Sequence, residues 1–163
     1  MKKIFVASAV ALSLLASSAF AQAPGPLSDA EFVLKASAGN TFEVEEAKLA
    51  LERSTDQRLK DFAKKMVDDH GDAMKKLQDA SGKAGAKADM TLDKPHQAMV
   101  DNLKGFNGKD FDKVYIADQI MAHAETVALL SDYVQNGKND DLKSWAKQAL
   151  PIVKGHRATM NAM

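Results

Sequence analysis

The residues best suited to chemistry in this chain are three of its four histidines. His70, His123 and His156 each fall inside an apolar helical stripe. Leu59, Phe62, Ala63, Met66, Val67, Ala73, Met74 and Leu77 surround the first. Tyr115, Ala122, Leu130, Tyr133 and Val134 surround the second, and Leu142, Trp145, Ala146, Ala149, Ile152, Val153 and Met160 the third. A neutral imidazole binds Zn, Cu or Fe without first losing a proton. Met66 and Met74 stand four residues either side of His70, and Met160 follows His156 by four. Thioether beside imidazole favours Cu(I). Asn40 and Glu43 share the inward face of the first helix, with Phe32, Val33, Ala36, Val44, Ala47 and Leu51, and Gln119 precedes His123 by one turn. The candidate centre is one Cu, Zn or Fe ion held by His70, His123, His156 and Glu43. Asn40, Gln119, Met66 and Met74 are its supporting or alternative ligands. The competing reading is a polar core in which the imidazoles pair with Asn, Gln or Tyr while the methionines fill gaps. His96, beside Pro95 and a loop, is expected at the surface, as are Glu45 and Glu46.

Four long helices must carry these residues. Ser28-Asp29-Ala30-Glu31 fits a capping box and opens a helix from about Asp29 to Arg53. A second start at Ser54 to Gln57 opens a helix from about Thr55 to Ala80, ending near Gly82. Ser81 to Asp93 is small, polar and aperiodic, which predicts a loop, and Pro95 starts a short helix to about Lys104. A third long helix spans about Lys109 to Gln135 and ends at Gly137. The fourth runs from Asn139 or Asp140 to near the C-terminus, through Pro151. No strand-like alternation occurs. The expected fold is all-α: two helical hairpins joined by a long connection with a short extra helix, the four-helix arrangement of ferritin-like proteins.

Helical rise tests whether the polar residues meet. Counted from a turn near residue 54, Asn40 and His70 lie within roughly one helical turn in height. Counted from residue 138, so do His123 and His156. Glu43 falls about 7 Å from the level of His70. Unpaired, each buried polar group would cost about 1–3 kcal/mol, so these residues must pair or bind. Gly39, Gly71 and Gly155 adjoin Asn40, His70 and His156 although mid-helix glycine costs about 1 kcal/mol against alanine. Rule-breaking residues at one level are expected of a functional or tightly packed layer.

The remaining features mainly exclude. The 22 basic and 22 acidic residues balance, arguing against nucleic-acid binding. Absence of cysteine excludes disulfides, thiolate sites and cysteine nucleophiles. There is no G-x-S-x-G, no Gly-rich phosphate loop and no H-E-x-x-H, so the chain is expected not to be an enzyme. Asp68 and Asp69 are adjacent on a helix and are expected to point apart. Met1-Lys2-Lys3, an apolar run from Ile4 to Ala16 and Ala19-Phe20-Ala21 form a secretory signal peptide over residues 1–21. Its removal leaves a lead-in at 22–28 and one domain at 29–162, with a net charge of −2 and no span for the bilayer. In a Gram-negative bacterium the destination is the periplasm. A homo-oligomer is compatible with these features, and the protein partner is left open.

Phe32-Val33, Ala38-Gly39-Asn40, Glu43-Val44 and Leu49-Ala50 resemble the family called domain of unknown function 4142. So do Leu59-Lys60-Asp61-Phe62-Ala63, Met66-Val67-Asp68-Asp69-His70, Phe111-Asp112, Tyr115, Gln119, His123 and Leu142 to His156. The resemblance covers about Asp29 to Arg157. It implies an exported, ferritin-like helical domain of the periplasm or outer membrane without an agreed activity, and it places Glu43, His70, His123 and His156 at motif positions. The chain departs from di-iron ferritin-like proteins, which use paired E-x-x-H motifs. Here Val67, Ile120 and Val153 precede the three histidines by three residues.

Overall fold

The computed structural model describes residues 26–163, and the expected signal peptide with residues 22–25 lies outside them. Five helices form: α1 (Asp29–Arg53), α2 (Gln57–Lys83), α3 (Lys94–Leu103), α4 (Gly108–Asn136) and α5 (Asp140–Met160). No strand occurs among the described residues. The helix starts follow local chemistry. Ser28 and Glu31 complete the capping box, while Asp56, Asp93 and Asn139 accept backbone N–H groups at the starts of α2, α3 and α5. Gly137 is the C-cap of α4, a position where a Cβ would lie 2.6 Å from the Tyr133 carbonyl oxygen. Pro151 lies inside α5 on its exposed side and leaves the helix unbroken.

Side-chain contacts set the topology. Asp29 accepts from the Tyr133 hydroxyl, Gly39 faces Thr126, and Arg53 donates to the Phe106 carbonyl, so α1 and α4 run antiparallel. The Trp145 indole donates to the Ala73 carbonyl at 3.0 Å and Lys83 pairs with Asp141 at 3.8 Å, so α2 and α5 do the same. Short turns join α1 to α2 and α4 to α5. The four long helices therefore stand in ring order α1, α2, α5, α4, and the connection after α2 returns along the bundle, carrying α3 against α1 and α4. This is the expected bundle of two hairpins with a long crossover.

The core divides along the bundle axis. One apolar cluster contains Phe32, Met74, Leu77, Leu130, Tyr133, Leu142 and Trp145, with Phe32 stacked on Tyr133 at 3.7 Å. A small cluster of Phe42, Val100 and Ala122 lies where α3 docks, and the second main one contains Leu59, Phe62, Met66, Phe111, Tyr115 and Met160. A polar layer separates the two main clusters. Leu51 and Ile152, expected inside, are exposed because they lie at the margins of their helical stripes. His96, expected at the surface, is largely covered, its ring 4.8 Å from that of Phe42 where α3 docks.

Candidate metal centre

Each long helix contributes to the polar layer. α2 supplies His70, α4 His123 and α5 His156, all at most 4% exposed. Ring centroids lie 5.7 Å apart for His70–His123, 5.4 Å for His70–His156 and 5.5 Å for His123–His156. One ligand nitrogen from each ring lies within 4.8 Å of the other two.

Hydrogen bonds fix which nitrogen of each ring is available. Asn40 Nδ2 donates to the Ala36 carbonyl at 2.8 Å, which turns Asn40 Oδ1 toward His70 Nδ1 at 3.0 Å. That oxygen can only accept, so His70 carries its proton on Nδ1. His123 Nδ1 meets the Gln119 carbonyl at 2.8 Å and Glu43 Oε1 at 3.2 Å, and must likewise donate. His156 Nε2 donates to Asp69 Oδ2 at 2.8 Å. The remaining nitrogens, His70 Nε2, His123 Nε2 and His156 Nδ1, are buried and have no hydrogen-bond partner. Three imidazole lone pairs thus remain without donors, while acceptors hold the opposite ring edges. Metal-binding histidines show the same arrangement, their second nitrogen donating to a carboxylate or carbonyl.

Electrostatics keep the rings neutral. Burial lowers His70 well below the ordinary histidine range, reinforced by His123 and His156. Burial also lowers His123, to about 4. His156 is lowered by burial against the opposing pull of Asp69. At neutral pH all three can act as ligands without losing a proton. Asp69 is held below its usual range by hydrogen bonds from Lys65 and His156, which outweigh its partial burial. A cavity of about 30 Å³ beside the layer is lined by Asn40, Asp69, His70, Thr126, Trp145 and His156. It reaches two of the three imidazoles.

The structure sorts the sequence candidates. His70, His123 and His156 converge. Asn40 and Gln119 support the rings, Gln119 through its carbonyl, and Glu43 contacts His123 rather than His70. Met66 and Met74 are buried in the two apolar clusters on either side of the layer. Two further residues belong to the layer. The Asp69 carboxylate crosses to α5 and holds His156. Glu46 is fully buried instead of solvated, because α1 packs against α2, α3 and α4 and is covered on a broad arc. The i,i+3 spacing of Glu43 and Glu46 was the available signal. The glycines do not mark tight packing: a Cβ at Gly71 or Gly155 would meet nothing within 4 Å.

The fold is shared with solved structures at low sequence identity. A DUF305 fragment from Deinococcus radiodurans is 17% identical with a TM-score of 0.72, covering 85% of this chain and 97% of that one. CopM in its Cu(II)-bound form is 16% identical with a TM-score of 0.70, covering 83% and 95%. A DUF305 protein from Streptomyces coelicolor is 14% identical with a TM-score of 0.66, covering 79% and 86%. No curated protein matches the sequence. No described helix is long and apolar enough to cross a membrane. A family model matches residues 15–163, nearly the whole chain, and the protein belongs to the family described as domain of unknown function DUF4142.

Proposed function

We propose that this protein binds one first-row transition-metal ion, copper foremost, and serves as a metal carrier or buffer in the periplasm, to which its leader directs it. The observation that carries this reading is the set of three buried, unpartnered imidazole nitrogens whose opposite ring edges are held by acceptors. Three neutral nitrogens suit Cu, Zn or Fe, and the Irving–Williams order places Cu(II) above the other two. CopM, a neighbour in fold, binds Cu(II), which agrees with that choice. Asp69, held ionised beside His156, would balance part of the ion's charge. Bond lengths of about 2.0–2.1 Å require nitrogens about 3.3–3.6 Å apart. One nitrogen from each ring lies within 4.8 Å of the other two, so a small inward adjustment of the rings would reach that spacing.

Elemental analysis of untagged protein from the periplasm, beside a His70→Ala variant, tests the reading. Stoichiometric metal in the wild type and its loss in the variant is the expected outcome. Metal-free protein showing no thermal shift with copper, zinc or iron would leave the histidines as a polar core. The protein would then act through its surface, as an envelope stress or interaction protein.

A further inference from the structure

The buried layer is thickly covered on one side and thinly on another. Between α1 and α4, Glu43, Glu46, Gln119 and His123 are at most 1% exposed. The two main apolar clusters close the layer above and below. Between α2 and α5 the covering is thin. The cavity of about 30 Å³ that reaches His70 and His156 has Asp69 and Ile152 in its wall. The same two residues line two grooves on the outer surface. One, of about 120 Å³, runs toward Trp145 and Gln148, and the other, of about 390 Å³, runs toward Gly155 and Thr159. Asp69 and Ile152 therefore part the imidazoles from solvent, and Ile152 is itself 47% exposed.

The side chains at this partition suit the passage of a cation. Asp69 Oδ2 accepts from His156 Nε2 at 2.8 Å and from Lys65 Nζ at 2.5 Å, and neither bond engages Oδ1. The Asp69 side chain is 28% exposed, so a cation arriving along the groove meets a carboxylate before it meets an imidazole. Lys65 is mostly exposed and touches none of the rings, which lets it yield its place to an incoming ion. Gly155 lines the same groove beside His156, and a Cβ there would meet nothing within 4 Å. Glycine weakens a helix interior relative to alanine, and no packing contact accounts for it here. Open space at the mouth of a passage does.

We propose that the metal ion enters and leaves the imidazole layer between α2 and α5, taken first by the Asp69 carboxylate and passed inward beside Ile152 to His156 and His70. The route presupposes the imidazole centre proposed above and adds the way in. Ile152 and Gly155 set the width of the mouth, and Lys65 is the resident cation that the ion displaces.

A side chain on the route acts on the barrier and not on its ends, so association and dissociation change together while Kd holds. Trp145, the single tryptophan, borders the cavity and reports the arrival of Cu(II) by quenching of its fluorescence. Stopped-flow mixing of untagged, metal-free protein with Cu(II) gives the association rate. Mixing the loaded protein with excess EDTA gives the dissociation rate. Gly155→Leu and Ile152→Phe, both at exposed positions, should slow the two rates alike by about tenfold, with Kd within about twofold of wild type. Lys65→Met should speed association severalfold at low salt, by a margin that shrinks as salt rises. Unchanged rates in both groove variants overturn the route and leave the metal centre standing. So does a change confined to dissociation, which would place the effect on the ligands. Wild-type protein that binds no Cu(II) removes the centre and the route together.

Discussion

At the scale of single residues, the candidate centre depends less on the histidines than on what each ring is tied to. Imidazole nitrogens are ligands only when unprotonated and correctly aimed, and here an amide oxygen, a backbone carbonyl and a carboxylate do the aiming. Removing such a support while keeping the ligand should weaken binding without abolishing it. For Asp69→Ala the expected loss of metal affinity is about 10–100-fold, with stoichiometry retained. A competition titration against a chelator of known affinity measures it, and unchanged affinity would mean that the Asp69–His156 contact does not orient a ligand. The three histidines and Asn40 were legible from sequence because polar residues interrupting apolar stripes stand out. Asp69 was not, since adjacent helical residues point apart and only the partner helix shows where the second one reaches.

At the scale of the elements, helix starts and stops were the most legible feature. Ser28, Asp56, Asp93 and Asn139 cap as their types require, and the observed bounds lie within a few residues of those expected. The covered arc of α1 was much less legible. Its apolar stripe accounts for contact with two neighbours, and the docking of α3 adds a third, which buries Phe42 and draws His96 inward. Glycine within the helices was also misleading. With open space at the Cβ position, Gly155→Ala should gain about 0.5–1 kcal/mol, because alanine loses less backbone freedom on folding. A urea midpoint that rises at constant slope confirms this. A lower midpoint would show that something must approach the backbone there, on the α2–α5 side where Lys65, Asp69 and Thr159 line a shallow groove with it.

At the scale of the whole molecule, the polar layer divides one bundle into two apolar clusters, and its titration opposes itself. Burial raises Glu43 to about 8 and Glu46, aided by Asp118, to about 9, from an ordinary 4.5. Groups raised in the folded state contribute stability that is fully present below about pH 4.5 and lost as pH rises through 8–9. The histidines act the other way. With His123 lowered from 6.5 to about 4, they cost nothing above pH 6.5 and their full penalty applies below about 4. Between pH 6.5 and 9 the carboxylates govern this layer, so metal-free protein should lose stability across that range, and Glu46→Gln should flatten the loss. Urea midpoints at several pH values test it, and parallel curves for the two proteins would contradict the assignment. A saturating ion bound by helices α2, α4 and α5 should raise stability at every pH where the rings are neutral, by about 2.7 kcal/mol at a hundredfold excess over Kd.

The most direct test of the central claim is an anomalous difference map from crystals of the copper-loaded protein, with data collected on either side of the copper edge. The expected result is a single strong peak about 2.0–2.1 Å from His70 Nε2, His123 Nε2 and His156 Nδ1, the rings drawn inward. A map with no peak between the three rings, from protein that carries copper elsewhere or none, would contradict it.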